Sequence, residues 1–227
     1  MYSILVSKIV KGMKLVNGEV QKLVKADSKV VILPWAFPSE LDSDKLINQY
    51  FKKGGEKYNK YVNVLLDLGI NENNIFIGNC YSDSKEKLQN KIKNADILLL
   101  PGGNPEMLYS KVVQETEILY DIKYFVGLII GESAGAVLHQ KRYFITEKNN
   151  YYKYFAFYDG FGIINDPFYV DVHSSNDLSY LNKLECVCKD KNKDIYAIFD
   201  EGAIILNRVN NEVKMYGNVI KIDKKFN

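Results

Sequence analysis

At 227 residues, 47% hydrophobic and 26% charged, the chain has the size and composition of one packed domain and not of a disordered segment. Its 30 basic residues are interspersed with 28 acidic ones for a formal net charge of +2, which excludes a strong field for gathering nucleic acid. Apolar runs stay short of membrane-spanning length, and Cys80, Cys186 and Cys188 supply neither a disulfide framework nor a strong zinc pattern, so free thiols and no metal are expected.

The first residues, Tyr2-Ser3-Ile4-Leu5-Val6-Ser7 followed by Lys8 and Lys11, lack the apolar stretch and cleavage site of a signal peptide, which points to a cytoplasmic protein. Residues 4–6 and Val30-Val31-Ile32-Leu33, the latter closed by Pro34 and Pro38, predict buried strands, each followed by a polar stretch. From residue 39 to Gly69 the apolar residues Leu46, Ile47, Tyr50 and Phe51, then Tyr58, Tyr61, Val62, Leu65 and Leu66, recur at helical spacing. They predict one long helix, or two broken at Gly54-Gly55.

Ile75-Phe76-Ile77 predicts a third strand and residues 84–92 a short helix. Residues 95–100 predict a fourth strand ending at Pro101-Gly102-Gly103, and Asn104-Pro105-Glu106 starts another helix. Val126-Gly127-Leu128-Ile129-Ile130 is the fifth and most apolar strand. This alternation calls for an α/β fold with a mainly parallel sheet and helices on both faces. In the last third, aromatics crowd residues 151–161 and residues 169–173 alternate as a strand would. Residues 195–199, 203–206 and 213–222 predict strands joined by turns at Glu201-Gly202 and Asn210-Asn211, an antiparallel C-terminal extension of the same sheet. No repeat or low-complexity linker intervenes, so residues 1–227 are read as a single domain.

Ile129-Ile130-Gly131-Glu132-Ser133-Ala134-Gly135-Ala136 has the form of a nucleophile elbow, G-x-S-x-G between strand and helix. Such a turn strains the serine backbone and lifts the hydroxyl above the sheet, while small neighbours let strand and helix approach. The plainer alternative is a βα turn whose serine only caps the helix. The amide of Ala134 and the helix start favour a developing negative charge. A second donor can come from Pro101-Gly102-Gly103-Asn104, at the carboxyl edge of the fourth strand, where glycine lets a backbone N–H approach a substrate oxygen.

A serine needs a base, and the chain has two histidines. His139, six residues beyond Ser133 on the same predicted helix, is turned about 240° away and out of reach. His173 is the candidate: it ends Phe168-Tyr169-Val170-Asp171-Val172 and precedes the loop-like Ser174-Ser175-Asn176. The acid that would hold the imidazole stays open on spacing alone among Glu147, Asp159 and Asp171.

Together these residues resemble the serine peptidase family that contains dipeptidase E, the α-aspartyl dipeptidase, and cyanophycinase, which shares a flavodoxin-like sheet with the class I glutamine amidotransferases. Pro101-Gly102-Gly103-Asn104 looks like the family's Gly-Gly-Asn loop, residues 131–136 like its Gly-x-Ser-Ala-Gly-Ala elbow, residues 170–173 like its histidine segment, and Asp200-Glu201-Gly202-Ala203 like a late Glu-Gly turn. The resemblance spans most of the chain. It implies a flavodoxin-like fold, Ser133 as nucleophile, His173 as general base, and an acid about fourteen residues past the serine, where this chain has Glu147. It also implies oxyanion donors at Gly103 and Ala134, with Gly102 and Asn104 completing the substrate loop, and a small peptide as substrate; the sequence leaves a homodimer open. Where the aspartyl dipeptidases carry Gly-Glu-x-Arg after the histidine, residues 174–189 here contain no arginine, so the resemblance carries the chemistry but not specificity for N-terminal aspartate.

The reading is acyl transfer to water through a seryl ester, with neither metal nor organic cofactor. Its rivals are a non-peptidase amide hydrolase on the same fold and a catalytically silent binding protein that keeps the elbow for structural reasons. Serine in place of the amidotransferases' cysteine counts against glutamine hydrolysis, because a thiol is easier to activate than a hydroxyl.

Overall fold

In the inner strands of the central sheet apolar side chains alternate between two faces, and both faces are covered. The computed structural model describes residues 1–37, 43–147, 152–165 and 167–224. Pro38, the 39–42 start of the predicted helix and Tyr151 lie outside them. The elements run β1 (Tyr2–Val6), α1 (Ile9–Val20), β2 (Val30–Ile32), α2 (Asp44–Tyr50), α3 (Glu56–Asp67), β3 (Ile75–Ile77), α4 (Lys85–Lys93), β4 (Ile97–Leu100) and α5 (Pro105–Val113). They continue with α6 (Thr116–Lys123), β5 (Leu128–Glu132), α7 (Ala134–Val137), β6 (Arg142–Ile145), β7 (Ala156–Asp159), β8 (Phe168–Val172), α8 (Leu178–Lys191), β9 (Asp194–Asn207) and β10 (Glu212–Ile222).

The main sheet has the order β10-β9-β1-β5-β4-β2-β3, with β8 also pairing β9 and β6-β7 forming a separate antiparallel pair. Strands β1, β5, β4, β2 and β3 are parallel, and β9 runs antiparallel to β1 and to β10, giving the flavodoxin-like sheet with an antiparallel extension. Ile4 and Val6 of β1 and Ile97 and Leu99 of β4 pack with Ile9, Met13 and Val16 of α1 and Val62 and Leu65 of α3. Leu5, Leu98 and Leu100 pack on the other face with Leu88, Leu108 and Ile118 of α4, α5 and α6. Each such side chain, fully withdrawn from water, contributes roughly 1.5–3 kcal/mol.

Of the two alternatives for the helical stretch the structure has the second, two helices parted at Gly54-Gly55 with Gly54 at φ +81°. Several other elements differ from the sequence reading. Helices α1, α6 and α8 and the β6-β7 pair occupy segments for which no such element is predicted. The tail strand β8 runs parallel to β9, not antiparallel. Most consequential, β9 is one continuous strand of 14 residues, so Glu201-Gly202 is not a turn. Its first half pairs with β8 (Phe168↔Asp194 to Val172↔Ile198) and its second with β1 (Val6↔Ala203 to Tyr2↔Asn207), while β10 lies along the opposite edge. Residues 199–202 therefore span the gap between the carboxyl ends of β1 and β8, the edge of a parallel sheet at which sites form.

Candidate active site

β5 lies between β1 and β4, and its carboxyl end delivers Ser133 to the same edge. The Ser133 backbone is held at φ +49°, ψ −105° by its own N–H donating to the Val6 carbonyl at 2.9 Å and by its carbonyl accepting from Ala136 and Val137, each at 3.0 Å. Its side chain makes no cap bond to α7, which removes the plainer alternative of a helix-capping serine. α7 is only four residues long, so the Ala134 amide itself, one of the N–H groups without an intrahelical acceptor, outweighs any helix dipole.

The two glycines of the elbow let backbones touch: a Cβ on Gly131 would lie 2.7 Å from the Gly135 oxygen, and one on Gly135 would lie 2.1 Å from the Leu100 oxygen. Because that obstacle is backbone, Gly135→Ala is expected to cost roughly 1–3 kcal/mol, as overpacking does, read as a fall of several degrees in Tm by calorimetry. A Tm unchanged within a degree would refute the close approach.

His173 follows β8 at φ +53°, its N–H donating to Ser7 Oγ at 2.9 Å while Ser7 Oγ donates to the Ile198 carbonyl at 2.7 Å. This turn aims the imidazole at Ser133, with Nε2 2.9 Å from Ser133 Oγ. The other histidine, His139, lies just past α7, wholly buried, with Nδ1 2.7 Å from the Gly135 carbonyl. Burial pushes its pKa down to about 3, so it stays neutral within the core.

The acid beside the imidazole is not one of the three considered from spacing. Asp200, in the gap midway along β9, places Oδ1 2.8 Å from His173 Nδ1. Its Oδ2 lies 2.5 Å from Lys8 Nζ, the residue that precedes α1. Partial burial pushes the Asp200 carboxyl up, but the bonds from Lys8 and His173 outweigh it and hold the group below the ordinary aspartate range. Glu147 is half exposed and pairs with Lys183 of α8, so the structure does not bring it to His173. Asp159 lies exposed at the end of β7, 3.7 Å from Arg142. Asp171 is buried and accepts from Ser174 Oγ and Tyr180 Oη, both at 2.5 Å. The late Asp200-Glu201-Gly202-Ala203 landmark carries the acid, on a continuous strand where the sequence predicts a turn.

The Gly-Gly loop after β4 reaches the elbow, and its members have different tasks. Gly102 N–H donates to Glu132 Oε2 at 3.1 Å, which engages it with the protein instead of a substrate. Asn104 Oδ1 caps α5 by accepting from the amides of Glu106 (2.9 Å) and Met107 (3.2 Å). Gly103, at φ +145°, sits where a Cβ would fall 2.1 Å from the Ala36 oxygen, so no other residue fits there.

Glu132, the variable residue of the elbow, is 3% exposed and accepts from Ile9 N–H (3.0 Å), Tyr61 Oη (2.6 Å) and Lys60 Nζ (2.7 Å to Oε1, 3.0 Å to Oε2). Burial raises its pKa, but the Lys60 charge and these donors prevail and hold it ionised below the usual glutamate value. Burial and the same carboxylate push the Tyr61 phenol well above its ordinary value, so Tyr61 remains a donor.

Two spaces meet at the Ser133–His173 pair. A cleft of about 710 Å³ is lined by Phe37, Tyr50 and Tyr61 and by the stems of Lys8, Lys57 and Lys60. A smaller pocket of about 230 Å³ has the apolar walls Pro105, Val137, Phe144, Ile145 and Val172. A hydroxyl hydrogen-bonded to an imidazole that is itself bonded to a carboxylate, at the meeting of two such spaces, is an arrangement suited to nucleophilic attack on a bound carbonyl. Among the described residues no helix is long and apolar enough to cross a membrane.

No curated protein matches the sequence. A peptidase of an acI-B1 Actinobacterium shares the fold with a TM-score of 0.66 at 13% identity, covering 98% of this chain and 93% of its own. A structure assigned to peptidase E from Listeria monocytogenes EGD-e does so with a TM-score of 0.60 at 20% identity, covering 94% of this chain and 96% of its own. At these identities the two establish the fold alone. The model of peptidase family S51, however, matches residues 12–213, nearly the whole chain from α1 to β10. This chain therefore belongs to peptidase family S51 and is a serine-type peptidase.

Proposed function

We propose that this peptidase cleaves a peptide or amide bond in a small peptide through an acyl-enzyme on Ser133, with His173 as general base and Asp200 as the residue that orients it. The observation that carries the reading is the unbroken relay of 2.9 Å from Ser133 Oγ to His173 Nε2 and 2.8 Å from His173 Nδ1 to Asp200. Asp200 accepts a hydrogen bond from the Nδ1–H, which keeps the proton on Nδ1 and leaves Nε2 free to accept the serine's. Ser133 then attacks the carbonyl as His173 takes its proton, and the oxyanion forms between the amides of Ala134 and Gly103. The imidazolium, stabilised by the Asp200 carboxylate, gives its proton to the departing amine. Water, deprotonated by His173, finally hydrolyses the ester. The cleft is in the size range of small-molecule sites, which favours a short peptide over a folded protein as substrate.

A fluorophosphonate probe tests this directly. The folded protein is expected to take up one phosphonyl group, which peptide mass spectrometry locates on Ser133. Absence of an adduct on folded protein would leave the relay without chemistry and favour a silent binding protein. Turnover of dipeptides rather than aminoacyl amides in a library of both separates a peptidase acting on peptides from a general amide hydrolase.

A further inference from the structure

The carboxylate beside the nucleophile has no place in the relay, yet it is the most heavily bonded side chain at the site. Glu132 Oε1 accepts from the amide that opens α1 (Ile9, 3.0 Å), and Oε2 accepts from the amide of Gly102 (3.1 Å) and from Tyr61 Oη (2.6 Å) of α3. Lys60 Nζ lies within 3.0 Å of both oxygens, its own side chain one-third exposed to the cleft. One buried side chain thus ties the elbow, the Gly-Gly loop, α1 and α3 to a common point. The bond to Gly102 matters most for function, because the next residue, Gly103, is the proposed oxyanion donor. Donors contribute to catalysis only where the loop fixes them in advance at the position the oxyanion will occupy.

We propose that Glu132 is a positioning residue that sets the rate of acylation by clamping the Gly102–Gly103 loop against the elbow, and that Lys60 acts through it as the counter-charge of the clamp. The inference rests on the reading of Ser133 as nucleophile. Every group facing Glu132 is a donor, and a carboxylate can receive them at both oxygens. An amide accepts at one end only, so Glu132→Gln must turn its own NH2 toward either the Gly102 amide or the Ile9 amide, and it loses the attraction of Lys60 in both orientations. Loss of the clamp lowers the rate of bond formation while leaving the walls that bind the ligand in place, which is a transition-state and not a ground-state effect.

The test follows inactivation by a fluorophosphonate, separating the maximal rate kinact from the half-saturating concentration KI, with circular dichroism to confirm folding. Glu132→Gln is expected to lower kinact about tenfold or more with KI within about twofold of wild type. Lys60→Met is expected to lower kinact about threefold or more in the wild-type background but by less than about twofold in the Glu132→Gln background, the non-additivity of residues that act as a unit. A folded Glu132→Gln protein with wild-type kinact overturns the proposal, and so does a Lys60 effect that persists undiminished without the Glu132 charge. Should Glu132→Gln not fold, Lys60→Met and Tyr61→Phe decide instead: each removes one donor from an intact carboxylate, and wild-type kinact in both overturns the clamp. Wild-type protein that takes no label at Ser133 refutes the nucleophile reading itself, an outcome distinct from a labelled wild type with an equally reactive Glu132→Gln variant.

Discussion

Asp200→Asn is expected to lower kcat by about 10⁴-fold with little change in KM, the scale of effect when a triad aspartate becomes an amide. Glu147→Gln is expected to stay within about twofold of wild type. The size of the first effect follows from the partners of the carboxylate. Oδ2 meets Lys8 Nζ at 2.5 Å, a group that can only donate, and Oδ1 meets His173 Nδ1 at 2.8 Å. An asparagine therefore turns its carbonyl to Lys8 and its NH2 to Nδ1, which favours the tautomer protonated at Nε2. That tautomer cannot accept the Ser133 proton, and the negative charge that would stabilise the imidazolium is gone as well. Glu147 pairs with Lys183 on the exposed side of α8, where solvent screens the ion pair and its loss leaves turnover unchanged. The measurement is kcat and KM for the best substrate from the dipeptide and aminoacyl-amide library. Wild-type turnover in Asp200→Asn, or a large loss in Glu147→Gln, would remove Asp200 from the relay.

The contrast between these two acids shows what kind of information the sequence carried. The elbow is encoded locally: Gly131, Ser133 and Gly135 are required by one turn whose backbones nearly touch, so five consecutive residues announce it. His173 was reachable by elimination, because the only other histidine, His139, follows Ser133 too closely on the chain to turn back to its hydroxyl, and the structure buries it against Gly135. Asp200 is different. Its position depends on β1 and β8 ending against different halves of β9, a consequence of pairings among residues more than 20 apart, and nothing within its own segment records it. The same holds for α8, whose apolar residues Leu184, Val187 and Cys188 find their partners in Phe144, Tyr169 and Ile195, beside the C-terminal strands. For Gly102 and Asn104 the residue types were legible but their partners were not: a buried Glu132 and the start of α5 claim them, leaving Gly103 nearest to the part expected of the whole loop.

Ser133→Ala is expected to have the largest effect on activity, a loss in kcat on the order of 10⁵–10⁶-fold together with complete loss of fluorophosphonate labelling, since it removes the only oxygen in the relay that can form the ester. Its effect on stability should be nearly neutral, and the comparison with Ser133→Gly explains why. At φ +49° and ψ −105° the residue carries backbone strain of roughly 1–3 kcal/mol, and alanine retains the Cβ that causes it. Glycine has none, so Ser133→Gly should be inactive yet melt several degrees above Ser133→Ala, at about 2–4 °C per kcal/mol for a chain of this length. The strain has a purpose that neither variant serves: it holds Oγ clear of α7, which would otherwise take it as a cap, and delivers it to Nε2. Equal melting temperatures for the two variants would mean that the elbow is relaxed, and the hydroxyl would then need another reason for facing His173 instead of its own helix. Residual labelling in Ser133→Ala would be more damaging, because it would locate the nucleophile at a residue outside the relay altogether.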